Sequence, residues 1–195
     1  KSDVNSSVMA TVFTVKGGIH ADTIYGGYQG DTITGNGGAD DLYGNAGNDT
    51  ITAGSGADEI EGNAGADSIT AGGGVDTITG GTGNDIISAG DGADIITGSA
   101  GKDIITGGAG NDTFTYAAIT DSAGANFDEL TDFVSGSDNI QIGTAAAAIS
   151  LGAAATFTVT DRGDTASDGT LPGIMGGVAG DACLLYTSPS PRDTR

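Results

Sequence analysis

A nine-residue repeat occupies residues 17–115 without a single insertion, and it constrains this chain more than any other feature. Each of the eleven units has aspartate at position six and a large apolar residue at position eight, and nine have glycine at position four. The aspartates are Asp22, Asp31, Asp40, Asp49, Asp58, Asp67, Asp76, Asp85, Asp94, Asp103 and Asp112. A fixed period of this kind indicates stacked units, because one unit alone cannot bury its apolar face.

Each unit divides into a turn and a short strand. Its first six residues are mostly glycine, asparagine, alanine and aspartate, which favour tight turns. Its last three residues are rich in β-branched side chains, which predicts a strand three residues wide. Alternation along that strand points position eight inward and positions seven and nine outward. One buried side chain per unit does not offset the ordering entropy, so the units must stack.

Units two apart resemble each other more than adjacent units do. Tyr25 and Tyr43 share position nine, Ile86 and Ile104 share position seven, and alanine at position one recurs in repeats five, seven and nine. This pattern predicts coils of 18 residues, each made of two units. The predicted fold is all-β: a parallel β-roll, or two-sheet β-solenoid, whose hand is right, as it is for parallel crossovers.

The charge is strongly acidic: 26 acids against 6 bases give a net charge of -20. Such a surface repels phosphate backbones, so we predict no nucleic-acid partner. No apolar run approaches the ~18 residues of a membrane span. Of the acids, 23 are aspartate and only three are glutamate. The bias toward the shorter carboxylate points to a geometric role rather than to charge alone.

Stacking places each repeat aspartate beside the one two units away, in an odd column from Asp22 to Asp112 and an even column from Asp31 to Asp103. The eleven aspartates then form nine neighbouring pairs. At ~4.8 Å and an effective dielectric of ~20, each pair repels by about 3–4 kcal/mol. The sum rivals the ~5–15 kcal/mol that stabilises a whole domain. The roll therefore requires a cation between paired carboxylates.

Calcium fits this requirement better than magnesium does. Carboxylates and turn carbonyls form the oxygen-only shell that Ca²⁺ prefers, whereas Mg²⁺ demands octahedral geometry and holds its water. We predict that the position-six aspartates bind the ions and that glycine at position four frames the sites. These glycines are Gly47, Gly56, Gly65, Gly74, Gly83, Gly92, Gly101 and Gly110.

The repeat G-G-x-G-x-D-x-U-x resembles that of the RTX calcium-binding β-rolls, and the resemblance covers residues 17–115. It implies secretion from a Gram-negative bacterium through type I export machinery, to the extracellular space or cell surface, with folding on external calcium. It also implies one ion between like turns of adjacent coils, hence at most nine. His20 and Gln29 replace the position-four glycine in the first two repeats, which leaves seven pairs with glycine on both sides.

The flanks are predicted to close the two ends of the roll. Residues 1–16 form a leading strand and N-terminal cap, with the strand over 8–15. Residues 116–143 resemble the segment that closes RTX rolls in secreted proteases. The apolar side chains expected to cover the last coil are Phe127, Leu130, Phe133, Ile140 and Ile142. Three acids in this segment either bind a further ion or are solvated loop acids: Asp128, Asp132 and Asp138.

The last part of the chain has no predicted role in the roll. Residues 144–182 are rich in alanine and glycine and contain one strand-like run, 155–159. Residues 183–193 read CLLYTSPSPRD and resemble the out-of-frame translation of a sequencing adapter. We therefore assign residues 183–195 to an adapter rather than to the natural protein.

The sequence predicts no catalytic site. His20 is the single histidine, no zinc-protease motif occurs, and GSAGKD at 98–103 lacks the spacing and the Ser or Thr of a phosphate loop. The predicted function is a calcium-binding module that acts as a rigid spacer or adhesive module. The alternative is the C-terminal module of an exported protease or lipase. A minor alternative is ice binding by outward threonines, whose ladder Ile86 and Ile104 interrupt.

Overall fold

The structure is a computed structural model, and it describes residues 3–5, 11–117, 121, 127–134, 136–142, 156–159 and 183–186. These residues form strands and turns and no helix. The strands are β1 (Asp3–Asn5), β2 (Thr14–Lys16), β3 (Thr23–Tyr25), β4 (Thr32–Gly37), β5 (Asp41–Ala46), β6 (Thr50–Ser55), β7 (Glu59–Ala64), β8 (Ser68–Gly73), β9 (Thr77–Thr82), β10 (Ile86–Asp91), β11 (Ile95–Ala100), β12 (Ile104–Ala109), β13 (Thr113–Tyr116), β14 (Glu129–Leu130), β15 (Asn139–Ile142), β16 (Thr156–Val159) and β17 (Cys183–Tyr186).

The strands form two parallel sheets that the chain visits alternately. One sheet has the order β1-β3-β5-β7-β9-β11-β13-β15, and the other has the order β17-β16-β14-β12-β10-β8-β6-β4-β2. Within the repeats each residue aligns with the residue 18 positions further on, as Ile51 does with Ile69. The predicted all-β two-sheet solenoid with 18-residue coils is therefore confirmed.

The strands of the repeat array are wider than predicted. From β4 to β12 each strand covers six residues and continues through position three of the following repeat. The backbone at positions two and three also pairs with the neighbouring coil, as Asn36 does with Gly54 and Gly37 with Ser55. The three-residue prediction was wrong because turn-forming composition concealed this second paired segment.

The core is a single column of side chains between the sheets. The position-eight residues from Ile24 to Phe114 are all essentially inaccessible to solvent, as predicted. Position one also faces inward: Ala53, Ala71 and Ala89 are each 0 % exposed. Glycine or alanine at position one lets the two sheets approach closely at the rim of this core.

The outer faces carry the residues that indicated the 18-residue period. The rings of Tyr25 and Tyr43 stack on one sheet with centroids 4.7 Å apart. On the other sheet Ile86 pairs in register with Ile104. Both alignments confirm that repeats two apart are neighbours. Within the described part of the chain, no helix has the length and hydropathy needed to cross a bilayer.

Both sheets continue beyond the last repeat. Strand β14 pairs with β12, and β15 pairs with β13. Leu130 and Phe133 are buried, and the Phe133 ring lies 6.0 Å from that of Phe114. Phe127 and Ile140 are half-buried, while the side chain of Ile142 lies outside the description. The closing segment thus adds one strand to each sheet over the last coil.

The outermost strands lie at the two ends of the chain. Strand β2 covers Thr14–Lys16, so the strand predicted over 8–15 starts later, and residues 8–10 lie outside the description. The strand-like run 155–159 contains β16, which pairs with β17 in the segment assigned to an adapter. The rest of residues 144–182 lies outside the described residues, and the adapter assignment stays a prediction.

Candidate metal centre

The position-six aspartates line the turns of the roll from the inside. All eleven are buried, with at most 3 % of each residue exposed. Aspartates are rarely buried to this extent unless they are paired or bind a metal. The structure brings the predicted carboxylates together in two columns, one at each side of the sheets.

One oxygen of each paired carboxylate is held by the backbone of the preceding coil. In all nine pairs the Oδ1 atom accepts a hydrogen bond from the backbone N–H of the aspartate 18 residues earlier, at 2.6–3.0 Å. The bond from Asp58 N–H to Asp76 Oδ1, for example, is 2.9 Å long. This bond fixes the direction of the side chain and explains the preference for aspartate over the longer glutamate.

The other oxygen has no hydrogen-bond partner in repeats three to eleven. The buried Oδ2 atoms concerned belong to Asp40, Asp49, Asp58, Asp67, Asp76, Asp85, Asp94, Asp103 and Asp112. A buried carboxylate oxygen without a partner is costly, and native structures rarely leave one unpaired. Nine such atoms in periodic register indicate a shared ligand.

Burial dominates the electrostatics of the columns. The pKa of Asp49 and that of Asp85 are raised to about 7, mainly by burial; the backbone hydrogen bond lowers each value, and neighbouring carboxylates of the same column raise it. The pKa of Asp76 and that of Asp112 are raised to about 6, again mainly by burial. Carboxylates in this environment bind a proton or a cation more readily than exposed ones do.

A second oxygen donor lies beside four of the unpaired carboxylates whose repeat has glycine at position one, those of Asp40, Asp49, Asp67 and Asp85. A Cβ placed on Gly44 would lie 2.5 Å from Asp49 Oδ2 and 2.7 Å from the carbonyl oxygen of Gly62 in the next coil. Carboxylate and carbonyl oxygens from adjacent coils thus converge on one small space. This donor set fits Ca²⁺, which binds such oxygens at about 2.3–2.6 Å.

The turn backbone requires glycine at position four. In repeats three to eleven this glycine has a left-handed φ, from Gly38 at 121° to Gly110 at 148°. A Cβ on Gly56 would collide with the carbonyl oxygen of Gly38 in the preceding coil. The predicted glycines therefore allow close stacking of the turns, with their carbonyl groups directed between coils.

Position two is also left-handed from repeat three onward, which the sequence analysis missed. Asn36, Asn45, Asn63 and Ser99 adopt φ values of 72–80° there, and the other units have glycine. The signal was present in the sequence, because glycine and asparagine are the residues that tolerate this conformation best.

The first two repeats lack this arrangement. In repeat one the Asp22 Oδ2 atom accepts a hydrogen bond of 2.6 Å from Gly18 N–H, and in repeat two Asp31 Oδ2 accepts one of 2.5 Å from Gly27 N–H. These are the repeats in which His20 and Gln29 replace glycine. Their own backbone thus satisfies the oxygen that is unpaired in the later repeats.

Both columns extend into the closing segment. Asp103 N–H donates to Asp128 Oδ1 at 2.9 Å, and Asp112 N–H donates to Asp138 Oδ1 at 3.1 Å. The odd column therefore continues to Asp138, and the prediction that it ends at Asp112 was wrong. The spacing there widens from 18 to 25 and 26 residues, which hid the continuation. The motif Asp-x-apolar at 128–130 and 138–140 was the available signal.

Asp132 and His20, the two other residues considered in the sequence analysis, lie outside the aspartate columns. Asp132 binds the edge of strand β12 beyond the part that pairs with β14, because its carboxylate accepts hydrogen bonds from Gly107 N–H and Gly108 N–H at 2.9 and 2.8 Å. His20 is exposed in the first repeat. Among the described residues no group of three or more acidic, histidine or cysteine side chains converges on one point. A metal in the turns therefore depends on carbonyl oxygens as well as carboxylates.

Comparison with known families agrees with this geometry. A family model described as the RTX calcium-binding nonapeptide repeat, in four copies, matches residues 16–51, 52–87 and 79–114. Together these matches cover half of the chain. The comparison with curated proteins gives no match.

Proposed function

The chain belongs to the RTX calcium-binding nonapeptide-repeat family, and we propose that its roll folds by placing calcium ions between like turns of successive coils. The observation that carries this proposal is the row of nine buried Oδ2 atoms without hydrogen-bond partners. Bound calcium supplies positive charge and an oxygen-coordinating centre. The carboxylate and turn carbonyl oxygens bind this ion, which replaces the water that these oxygens lose on folding.

The aspartate pairs set the number of ions. Nine neighbouring pairs give at most nine sites, and seven of them have glycine at position four in both units. The two remaining pairs, Asp22 with Asp40 and Asp31 with Asp49, each include a carboxylate whose Oδ2 already binds its own backbone. We therefore propose seven sites within the repeats.

We propose a secreted, structural role for the module. Secretion and type I export rest on the family, whose typical members are secreted bacterial proteins. A stack of identical coils joined by ions along both sides suits a rigid spacer or adhesive module. The alternative is that it follows the catalytic domain of an exported enzyme. The upstream reading frame distinguishes them: a zinc-ligand motif or Gly-x-Ser-x-Gly indicates the enzyme, and further repeats indicate the spacer.

Catalysis and ice binding are not part of this proposal. The single histidine is exposed in a repeat that departs from the consensus, and we propose no catalytic role for it. The two rows of outward hydroxyls run in register over β4, β6 and β8. Ile86 then follows Ser68 in the next strand, so the position-seven row ends after three repeat strands, and only the position-nine row continues through Ser88 and Thr106.

The proposal predicts calcium-specific compaction of the chain. In chelator at neutral pH the net charge of -20 and the paired carboxylates keep the chain expanded. Calcium is expected to reduce its hydrodynamic radius to that of a folded protein, and the same concentration of magnesium is not. Size-exclusion chromatography in the three buffers makes the comparison. Equal elution volumes in chelator and in calcium contradict the proposal, as does full compaction by magnesium.

A further inference from the structure

The two sides of the roll differ at repeat position one. We call the turns of repeats one, three, five, seven, nine and eleven the odd turn line, and the turns of the other repeats the even turn line. On the even turn line position one is always glycine, from Gly26 to Gly98. On the odd turn line it is alanine in three successive turns: Ala53, Ala71 and Ala89.

This position lies where the proposed ligands converge. On the even turn line a Cβ on Gly62 would be 2.5 Å from Asp67 Oδ2 and 2.5 Å from the carbonyl oxygen of Gly80. A Cβ on Gly80 would be 2.6 Å from Asp85 Oδ2 and 2.8 Å from the carbonyl oxygen of Gly98. Such distances are shorter than carbon–oxygen contacts allow. Glycine therefore leaves a space bordered by two oxygen donors from adjacent coils.

In repeats five, seven and nine a methyl group fills the equivalent space. Ala53, Ala71 and Ala89 are fully buried, so their methyl groups cannot turn away toward solvent. The Oδ2 atoms of Asp58, Asp76 and Asp94 in the same repeats are nevertheless buried and without hydrogen-bond partners. These three turns thus retain the carboxylate but have an apolar group where the even turn line has open space.

From this difference we infer that the roll has two classes of calcium site, and that the residue at position one sets the class. The inference rests on the proposed function. The four tight sites begin at Asp40, Asp49, Asp67 and Asp85, where position one is glycine. The three weaker sites begin at Asp58, Asp76 and Asp94, where it is alanine. Ca²⁺ needs six to eight oxygens at about 2.3–2.6 Å, and a buried methyl group displaces donors or coordinating water from that shell.

The two classes have a consequence for folding. The tight sites join repeats three and five on the odd turn line and repeats four, six, eight and ten on the even turn line. Filling them is therefore sufficient to hold most coils together along one side. The three weaker sites then fill on a roll that is already folded. A chain of this design keeps its shape while it gains or loses calcium along one side.

The test is a bound-calcium curve for the full chain and three variants. One variant combines Ala53→Gly, Ala71→Gly and Ala89→Gly. Its matched control combines Ala57→Gly, Ala66→Gly and Ala93→Gly, which make the same change at exposed alanines in position five. The reciprocal change is Gly62→Ala. Equilibrium dialysis with elemental analysis gives bound calcium against free calcium, and circular dichroism of the same samples gives the folded fraction.

We expect two phases for the unmodified chain, with the upper phase at several-fold higher free calcium. The position-one variant is expected to merge them, the position-five control to keep both, and Gly62→Ala to move uptake from the lower phase to the upper. A single phase for the unmodified chain, or a position-one variant whose curve matches the position-five control, overturns the inference. Absence of any calcium uptake instead overturns the proposed function. Should the triple variant not fold at saturating calcium, Ala71→Gly alone provides the same comparison.

Discussion

We expect Asp67→Ala to raise the free calcium concentration at half-folding several-fold more than Asp31→Ala does. Both residues are buried in the even column. Asp67 has coils on either side, accepts the N–H of Asp49 and donates to Asp85, and its Oδ2 atom is unpaired. Its loss removes a carboxylate from two proposed sites, both of the tight class. Asp31 starts its column, and its Oδ2 atom is held by Gly27 N–H.

Far-UV circular dichroism against free calcium measures this difference. Asp67→Asn is the informative companion, because asparagine can still accept the hydrogen bond from Asp49 N–H but has no charge. If the carboxylate is needed as a calcium ligand, Asp67→Asn behaves like Asp67→Ala. A midpoint for Asp67→Asn equal to that of the unmodified chain shows that the aspartate serves only as a hydrogen-bond acceptor. Equal midpoints for Asp67→Ala and Asp31→Ala contradict the shared-ion account.

The second large effect is a gain of β structure by the calcium-free chain on acidification. Burial raises the pKa of Asp49 and Asp85 in the folded roll to about 7, from 3.8. The folded state thus holds these protons more tightly than the unfolded state. Their stabilising contribution is complete below pH 3.8 and is lost as the pH rises through about 7. Protonation of these carboxylates therefore reduces the repulsion within the columns, as calcium binding does.

Circular dichroism in calcium-depleted buffer from about pH 8 down to about pH 5 tests whether acidification stabilises the roll. Strand signal is expected to increase as the pH falls. A variant with Asp49→Asn and Asp85→Asn has two fewer titrating groups and is expected to show a weaker pH dependence. Sedimentation of the same samples separates folding from aggregation, since the isoelectric point is about 4.1. Strand content that is constant, or that rises with pH, contradicts the assignment.

The solenoid could be predicted because one residue type marks each structural role. Aspartate at position six and isoleucine at position eight fixed both the nine-residue unit and its inward face. Tyr25 with Tyr43 and Ile86 with Ile104 fixed the 18-residue coil. The nine-residue pattern recurs eleven times without an insertion, so the register of one coil determines the register of the others.

The details that the sequence did not reveal depend on backbone geometry. Asn36 and Gly54 were interpreted as turn residues, although their left-handed backbone lies within a paired strand. Asp138 was not placed in the odd column, because an insertion precedes it and the period no longer applies. The two oxygens of each carboxylate differ, since Oδ1 accepts a backbone hydrogen bond and Oδ2 has no partner. This difference is visible only from atomic distances, which a sequence pattern does not contain.

The steepness of folding against free calcium tests the central claim most directly. Because each coil contacts only its neighbours and shares ions with them, folding of one coil favours binding at the next. Circular dichroism of the unmodified chain, followed against buffered free calcium, is expected to give a single transition with a Hill coefficient well above one. A gradual transition with a Hill coefficient of one, or full strand signal in chelator at neutral pH, would show that calcium does not assemble the roll.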